Sequence, residues 1–189
     1  MKKRVSISLK TQEIIKDVSN IGFMSGEAIN NANLIRLKNM LQDITEEGYK
    51  ERTIQAIRLA VGEIKDKVFD YIENVIEVGS GEETQKFYDD QLAHDGSGKG
   101  LNIVMSDTYC EPESFMINLL LSDNCPITNM EFVKNLMHEA VVNRTIGGYA
   151  APIDANLAEV WNQKADRNLE QLDVAMNRRR MIKRNMTTF

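Results

Sequence analysis

The stretch of sequence that most suggests chemistry is HDGSGKG, residues 94–100, which combines a histidine, an aspartate, a lysine and three glycines. A phosphate-binding P-loop has a glycine, any four residues, then glycine, lysine and a serine or threonine, so that backbone N–H groups surround the phosphates and the hydroxyl contacts Mg²⁺. When Gly98 and Lys99 are aligned to this pattern, Ala93 stands where the first glycine belongs and Gly100 where the hydroxyl residue belongs. The alternating glycines also fail the G-x-G-x-x-G pattern of dinucleotide sites. The sequence therefore predicts a flexible connection here and no nucleotide site.

Other residues with catalytic or metal-binding chemistry are few. A zinc-protease helix needs a second histidine four residues after the first, but Val142 stands at that distance from His138. The remaining candidates are His94, Cys110 and Cys125, and the two cysteines lack the CxxC spacing of structural zinc sites. We therefore predict no catalytic residue, no metal ion and no cofactor. An enzyme whose fold brings a thiol and an imidazole together, such as Cys110 with either histidine, stays open as an alternative.

The composition is that of an ordinary folded domain. The chain has 189 residues, of which 42% are hydrophobic and 27% are charged, so it can bury a core and disorder is not predicted. Two cysteines indicate a reducing compartment. The longest apolar run, FMINLLL, is interrupted by Asn118 and is too short to span a membrane. The expectation is a soluble protein that is made in a cytoplasm.

Charge is distributed unevenly along the chain. Of the twenty-three basic residues, four lie within residues 1–10 and five within residues 178–189, and neither end carries an acidic residue. Residues 11–177 therefore hold fourteen basic against twenty-eight acidic residues, a net charge of −14. Such a body is poorly suited to coating nucleic acid, whereas basic ends can contact an acidic neighbour. The candidate residues for assembly or phosphate contacts are Arg178, Arg179, Arg180, Lys183, Arg184, Lys2, Lys3 and Arg4.

Apolar residues recur at helical spacing in two stretches. In residues 50–78 they alternate three and four apart, which places them on one face of a helix of about 28 residues. This stripe consists of Ile54, Ile57, Val61, Ile64, Val68, Tyr71, Val75 and Val78. The second stripe consists of Leu34, Leu37, Leu41 and Ile44. Because Gly48 offers a helix end between the two, we predict a long antiparallel helical hairpin with facing stripes.

Beyond residue 78 the pattern changes. Residues 101–106 and 114–122 are short apolar runs between polar turns, typical of two strands of a β-hairpin. A capping box at Thr128 and Glu131 begins a helix whose buried face consists of Val133, Leu136, Met137, Ala140 and Val141, and which Gly147 and Gly148 end. Asp154 is the predicted N-cap of the last helix, whose apolar stripe consists of Leu157, Val160, Trp161, Ala165, Leu172 and Met176.

The predicted fold class is therefore mainly α: a long helical hairpin and C-terminal helices, with a small β-hairpin between them. The organisation that follows is an N-terminal strand or arm and a helical hairpin over 1–78, a flexible glycine-containing connection over 79–100, and a β-hairpin with C-terminal helices and a basic tail over 101–189. These segments are expected to pack as one compact unit.

Four stretches carry a resemblance to a known class. They are FMINLLLSDN, FVKNLMHEAVVNRTIGGYA, the closing helix NLAEVWNQKADRNLEQLDVAMNRRR and the N-terminal KKRVSISLKTQEIIKDV. Together they resemble small neck proteins of tailed bacteriophages, of the head–tail connector, adaptor or tail-completion type. The resemblance covers roughly half of the chain as pattern.

The resemblance implies a non-enzymatic virion protein that is made in the host cytoplasm and assembles as a ring, commonly of about twelve copies. Its partners would be copies of itself, the portal and tail proteins, and DNA that passes through the channel without specific recognition. The alternative from another class is a helical regulatory or nucleic-acid-binding module that uses the C-terminal arginine and lysine run, in which case affinity falls steeply as salt rises.

Overall fold

The computed structural model describes residues 3–27, 32–79, 112–121 and 130–177. Over these residues the chain forms five α-helices and three β-strands. In chain order these are β1 Lys3–Lys10, α1 Thr11–Glu27, α2 Ala32–Gln42, α3 Glu47–Lys67, β2 Ile72–Gly79, β3 Pro112–Leu121, α4 Met130–Ala150 and α5 Ala155–Asn177, with 3₁₀ turns at Asp43–Thr45 and Phe69–Tyr71. The mostly helical character and the N-terminal strand that enters a helix are as predicted.

The strands form one antiparallel sheet in the order β1-β3-β2, with β3 in the centre. Residues alternate between the faces, because successive side chains of a strand point to opposite sides. The inner face is mainly apolar; its buried members are Ile7, Leu9, Phe115, Ile117, Leu119 and Leu121. We call the opposite side the outer face, defined by Arg4, Ser6, Ser8 and Lys10 of β1, Ser114, Met116, Asn118 and Leu120 of β3, and Asn74, Ile76 and Val78 of β2. None of these outer-face residues is buried.

The helices pack on the inner face and on one another. α1 and α4 contact the sheet, α2 packs chiefly on α1, and α3 packs chiefly on α4. The most extensive helix pair is α4 with α5. Arg144 of α4 ties three helices together, since its guanidinium donates to Glu63 of α3 at 2.7 Å and to Asp166 of α5 at 2.8 Å.

The predicted helix over residues 50–78 is correct only in its first two thirds. Its stripe is buried from Ile54 to Val68, but α3 ends at Lys67 and residues 72–79 form β2. The spacing of the apolar residues continues unbroken into β2, so periodicity alone does not separate the two states. The second segment is rich in β-branched residues (Ile72, Val75, Ile76 and Val78), and pairing with β3 decides in favour of the strand.

The predicted helical hairpin is present only in part. α2 and α3 follow one another through a short turn, but α2 lies mainly against α1 and α3 mainly against α4. The two helices therefore pack mainly on other helices rather than on each other, and the side chain of Leu34 from the predicted stripe lies outside the described part of the structure. Gly48 does not end a helix; it lies in the first turn of α3, and the break comes at residues 43–46.

The predicted β-hairpin is also corrected. The predicted strand over residues 114–122 is a strand over Pro112–Leu121, and residue 122 lies outside the described residues. The strands beside it are β1 and β2, which occupy both of its edges. The predicted partner, residues 101–106, lies outside the described residues. Of the predicted connection over 79–100, Gly79 is the last residue of β2, and the rest lies outside the described residues.

The two C-terminal helices follow the sequence prediction closely. All five residues of the predicted buried face of α4 are buried, and so are four of the predicted stripe residues of α5, whereas Val160 is 50% exposed. Asp154 caps α5 as predicted, because its Oδ1 accepts from the backbone N–H of Asn156 at 2.9 Å and of Leu157 at 3.2 Å. Thr128 of the predicted capping box lies outside the described residues.

Gly147 and Gly148 do not end α4, which continues to Ala150. Gly147 lies where α4 meets α5, and a Cβ at this position would collide with the Asn162 side chain, whose Cγ would be only 3.1 Å away. Gly148 is exposed, and a Cβ there would meet nothing within 4 Å. The first glycine therefore serves close helix packing, while the second does not.

Gly147→Leu is expected to lower the free energy of unfolding by about 1–3 kcal/mol, the usual cost of forcing extra volume into a packed site. Gly148→Leu is the matched control and is expected to be neutral or slightly stabilising, because leucine favours a helix interior over glycine. Urea unfolding followed by circular dichroism measures both. Equal effects of the two substitutions would contradict the assigned helix contact.

Candidate functional site

Two of the eight predicted contact residues, Lys3 and Arg4, lie within the described part of the chain. Both belong to β1 and not to a separate arm. Lys2 and the C-terminal set (Arg178, Arg179, Arg180, Lys183 and Arg184) lie outside the described residues. The structure therefore places the N-terminal basic residues on the edge strand of a sheet, where their positions are set by strand pairing.

Arg4 reaches across the outer face of the sheet. Its guanidinium donates to Glu73 Oε1 of β2 at 2.7 Å, although β3 lies between the two strands. Glu73 stands at a register shift between Ile72 and Asn74, so it has no partner residue on β3. The Arg4 side chain is 76% exposed and that of Glu73 33%. An ion pair with this exposure contributes little to stability, so its charges remain available to a partner.

A line of polar side chains crosses the same face one step further along. Ser6 Oγ donates to Asn118 Oδ1 at 2.6 Å, and Asn118 Nδ2 donates to Asn74 Oδ1 at 2.6 Å. One side chain from each strand takes part. The outer face is therefore ordered by hydrogen bonds across its width, flanked by the half-buried apolar side chains of Met116 and Leu120.

The two edges of the sheet differ in charge. We call β1 the basic edge, since it carries Lys3, Arg4 and Lys10 and no acidic residue, and β2 the acidic edge, since it carries Glu73 and Glu77 and no basic residue. Within the described residues, no strand lies beyond either edge. In the described part of the chain β1 and β2 are thus the edge strands, and an edge strand is a template for pairing with a further strand.

Some of these charged side chains already form ion pairs within the subunit. Glu77 accepts two hydrogen bonds from the Arg58 guanidinium of α3, both at 2.9 Å, and its side chain is only 13% exposed. Lys10 donates to Glu13 at 2.9 Å. This hydrogen bond is the largest cause of the lowered pKa of the Glu13 carboxyl, helped by the positive charge of Lys10 and Lys134. Arg4 and Glu73 also pair with each other, and that pair is more exposed than the pair of Glu77 with Arg58.

A second surface feature is an open groove between α1 and α4. It is lined by Glu13, Lys16, Asp17, Lys134, Asn135 and His138. His138 Nε2 lies 2.8 Å from Asp17 Oδ2, the arrangement by which a carboxylate orients an imidazole in proton transfer. The lining residues include no serine, threonine, cysteine or tyrosine. Cys110, Cys125 and His94, which the enzymatic alternative invoked with His138, lie outside the described residues.

Sequence reasoning missed both of these arrangements. Asp17 and His138 are 121 positions apart, and no local pattern connects them. The acidic edge was missed because residues 72–78 were assigned to a helix.

Among the described residues, no group of three or more histidine, cysteine, aspartate or glutamate side chains is placed to hold a metal ion. None of the described helices combines the length and the apolar character needed to cross a bilayer. Comparison of the chain with protein-family models, with curated proteins and with solved structures finds no significant match.

Proposed function

We propose that this protein is a non-enzymatic structural subunit that assembles with copies of itself into a ring, as neck proteins of tailed bacteriophages do, around a channel for DNA between portal and tail. The observation that carries the proposal is the sheet, which has two edges without a neighbouring strand and an outer face without a buried residue over the described chain. An edge strand without a neighbour is a template for pairing with another chain, which is how such a sheet can serve assembly.

Charge supports the DNA-channel part of the proposal. The net charge of −14 over residues 11–177 repels the phosphate backbone. DNA could then slide past such a wall without adhering to it. Direct binding of duplex DNA at physiological salt is therefore expected to be weak, with basic contacts restricted to the chain ends.

The experiment that tests the proposal is the native mass of the full chain by light scattering, with negative-stain imaging of the same fraction. Closed rings of about a dozen copies are the expected result. A particle that stays at the monomer mass of 21.5 kDa up to its highest soluble concentration would contradict self-assembly. Tight, strongly salt-dependent DNA binding by that monomer would favour the nucleic-acid-binding module instead.

A further inference from the structure

We propose that neighbouring copies join edge to edge, with the basic edge of one subunit (β1) lying beside the acidic edge of the next (β2). The inference rests on the proposed self-assembly and names the surfaces that carry it. The two strands suit one another in length, since each has eight residues. Within the described residues, each also has one side along which no strand is paired, and such an edge is a template for pairing.

Charge decides which edges meet. Two basic edges brought together would oppose lysine and arginine residues with lysine and arginine residues, and two acidic edges would oppose glutamates. Like charges directly opposite one another on neighbouring strands are destabilising, whereas opposite charges contribute favourably. Only the pairing of unlike edges is complementary. Such a contact joins different patches of the two subunits, and repetition of it closes a ring or extends a filament.

Strand direction leads to the same arrangement. β1 and β2 are both antiparallel to β3, so they run parallel to each other. In a ring of about twelve copies, each subunit is rotated by only about 30° from its neighbour. This small rotation approximately preserves strand direction, so β2 of one copy and β1 of the next can pair in parallel. A two-fold axis would instead pair like edges in antiparallel fashion, which the charges oppose.

Arg4 and Glu73 are the residues through which the contact acts. Inside one subunit they already meet at 2.7 Å by reaching across β3. When β1 of one subunit lies directly beside β2 of the next, Arg4 and the facing Glu73 stand on adjacent strands. The ion pair within each subunit can thus be exchanged for one between subunits, which helps set the register.

The test uses two charge reversals in the full chain, Arg4→Glu and Glu73→Arg. Each variant alone places like charges at positions 4 and 73, where the two edges would meet, so each is expected to lose the assembled species seen by light scattering with the wild-type chain. An equimolar mixture of the two variants has complementary edges at every contact, so it is expected to regain the assembled mass, with the variants alternating. Mixing cannot restore the ion pair within a subunit, so recovery reports on the contact between subunits alone.

Control experiments show whether a loss of assembly comes from the edge contact, from the change in net charge or from misfolding. Arg167→Glu and Glu51→Arg make the same charge changes at exposed positions of α5 and α3, and both are expected to assemble as the wild-type chain does. Circular dichroism melting checks that each single variant folds. Both are expected to fold, because the ion pair that each loses is exposed.

The outcomes distinguish this contact from the proposed function. If the wild-type chain and both edge variants assemble equally, or if the mixture of variants fails to assemble, the edge pairing is wrong while self-assembly stands. If the wild-type chain is a monomer, self-assembly and the edge contact both fail. Loss in each single variant with recovery in the mixture supports both.

Discussion

Tyr149→Ala is expected to lower the free energy of unfolding by about 3–5 kcal/mol, the range for removing a large aromatic side chain from a core. Tyr149 lies on α4 and is only 1% exposed, so the substitution leaves a cavity between α3 and α4. The Arg52 guanidinium also lies 5.0 Å from the centre of its ring, a contact that the alanine side chain would lack.

The hydroxyl of Tyr149 belongs to a small buried network. It lies 2.5 Å from Thr53 Oγ1 and 3.2 Å from the Tyr49 carbonyl oxygen, while Thr53 Oγ1 donates to that same carbonyl at 2.8 Å. Tyr149→Phe keeps the ring and removes only the hydroxyl. It leaves Thr53 with its own acceptor, so we expect a loss of about 1 kcal/mol. Urea unfolding of the two variants measures the contributions of the ring and of the hydroxyl to the free energy of unfolding separately. Equal losses would mean that the ring adds nothing to stability, which would contradict its position in the core.

The same residue gives stability a pH dependence. Burial raises the pKa of the Tyr149 hydroxyl above its ordinary value, with the hydrogen bond to Thr53 acting in the opposite direction. As pH rises through the ordinary tyrosine value, the unfolded chain releases this proton before the folded chain does. Unfolding is therefore favoured, and this part of the stability is lost as pH rises through the folded-state pKa. The wild-type chain should lose more stability than Tyr149→Phe between about pH 9 and pH 11, and parallel curves would contradict this.

The parts of the fold that the sequence predicts are those set by neighbouring residues. The buried face of α4 follows from residues three and four apart, and the Asp154 cap follows from a side chain that bonds to the next turn of the helix. β2 is different, because Val75 and Val78 continue the helical spacing of α3 without a break. Its strand conformation depends on pairing with Ile117 and Ser114, which lie far along the chain.

The candidate site was likewise predictable only where neighbouring residues define it. Arg4 was identified as a contact residue from the basic composition of the N-terminus. Its partner Glu73 is 69 positions away and was hidden by the incorrect helix assignment. The acidic edge exists only once β2 is a strand, so a surface with two unlike edges could not be inferred before the sheet order was known. The groove between α1 and α4 likewise arises only from the packing of two distant helices.

The second large effect that we expect concerns two adjacent residues of β3. Ile117→Ala should lower the free energy of unfolding by about 2–5 kcal/mol, because Ile117 is fully buried on the inner face in the central strand. Met116→Ala is the control on the same strand. Its side chain lies on the outer face and is only half-buried, so we expect a loss below about 1 kcal/mol. The two residues are neighbours on one strand, so the substitutions differ chiefly in the face of the sheet that they change.

Both should be measured by urea unfolding in the Arg4→Glu background, which is expected to be monomeric, so that subunit contacts do not add to the stability. A large difference between the two substitutions shows that the outer face is open in the isolated subunit. A loss for Met116→Ala as large as that for Ile117→Ala would mean that the same chain already covers the outer face. The sheet would then have no open face to offer to other subunits, and the observation that carries the proposed ring assembly would fail with it.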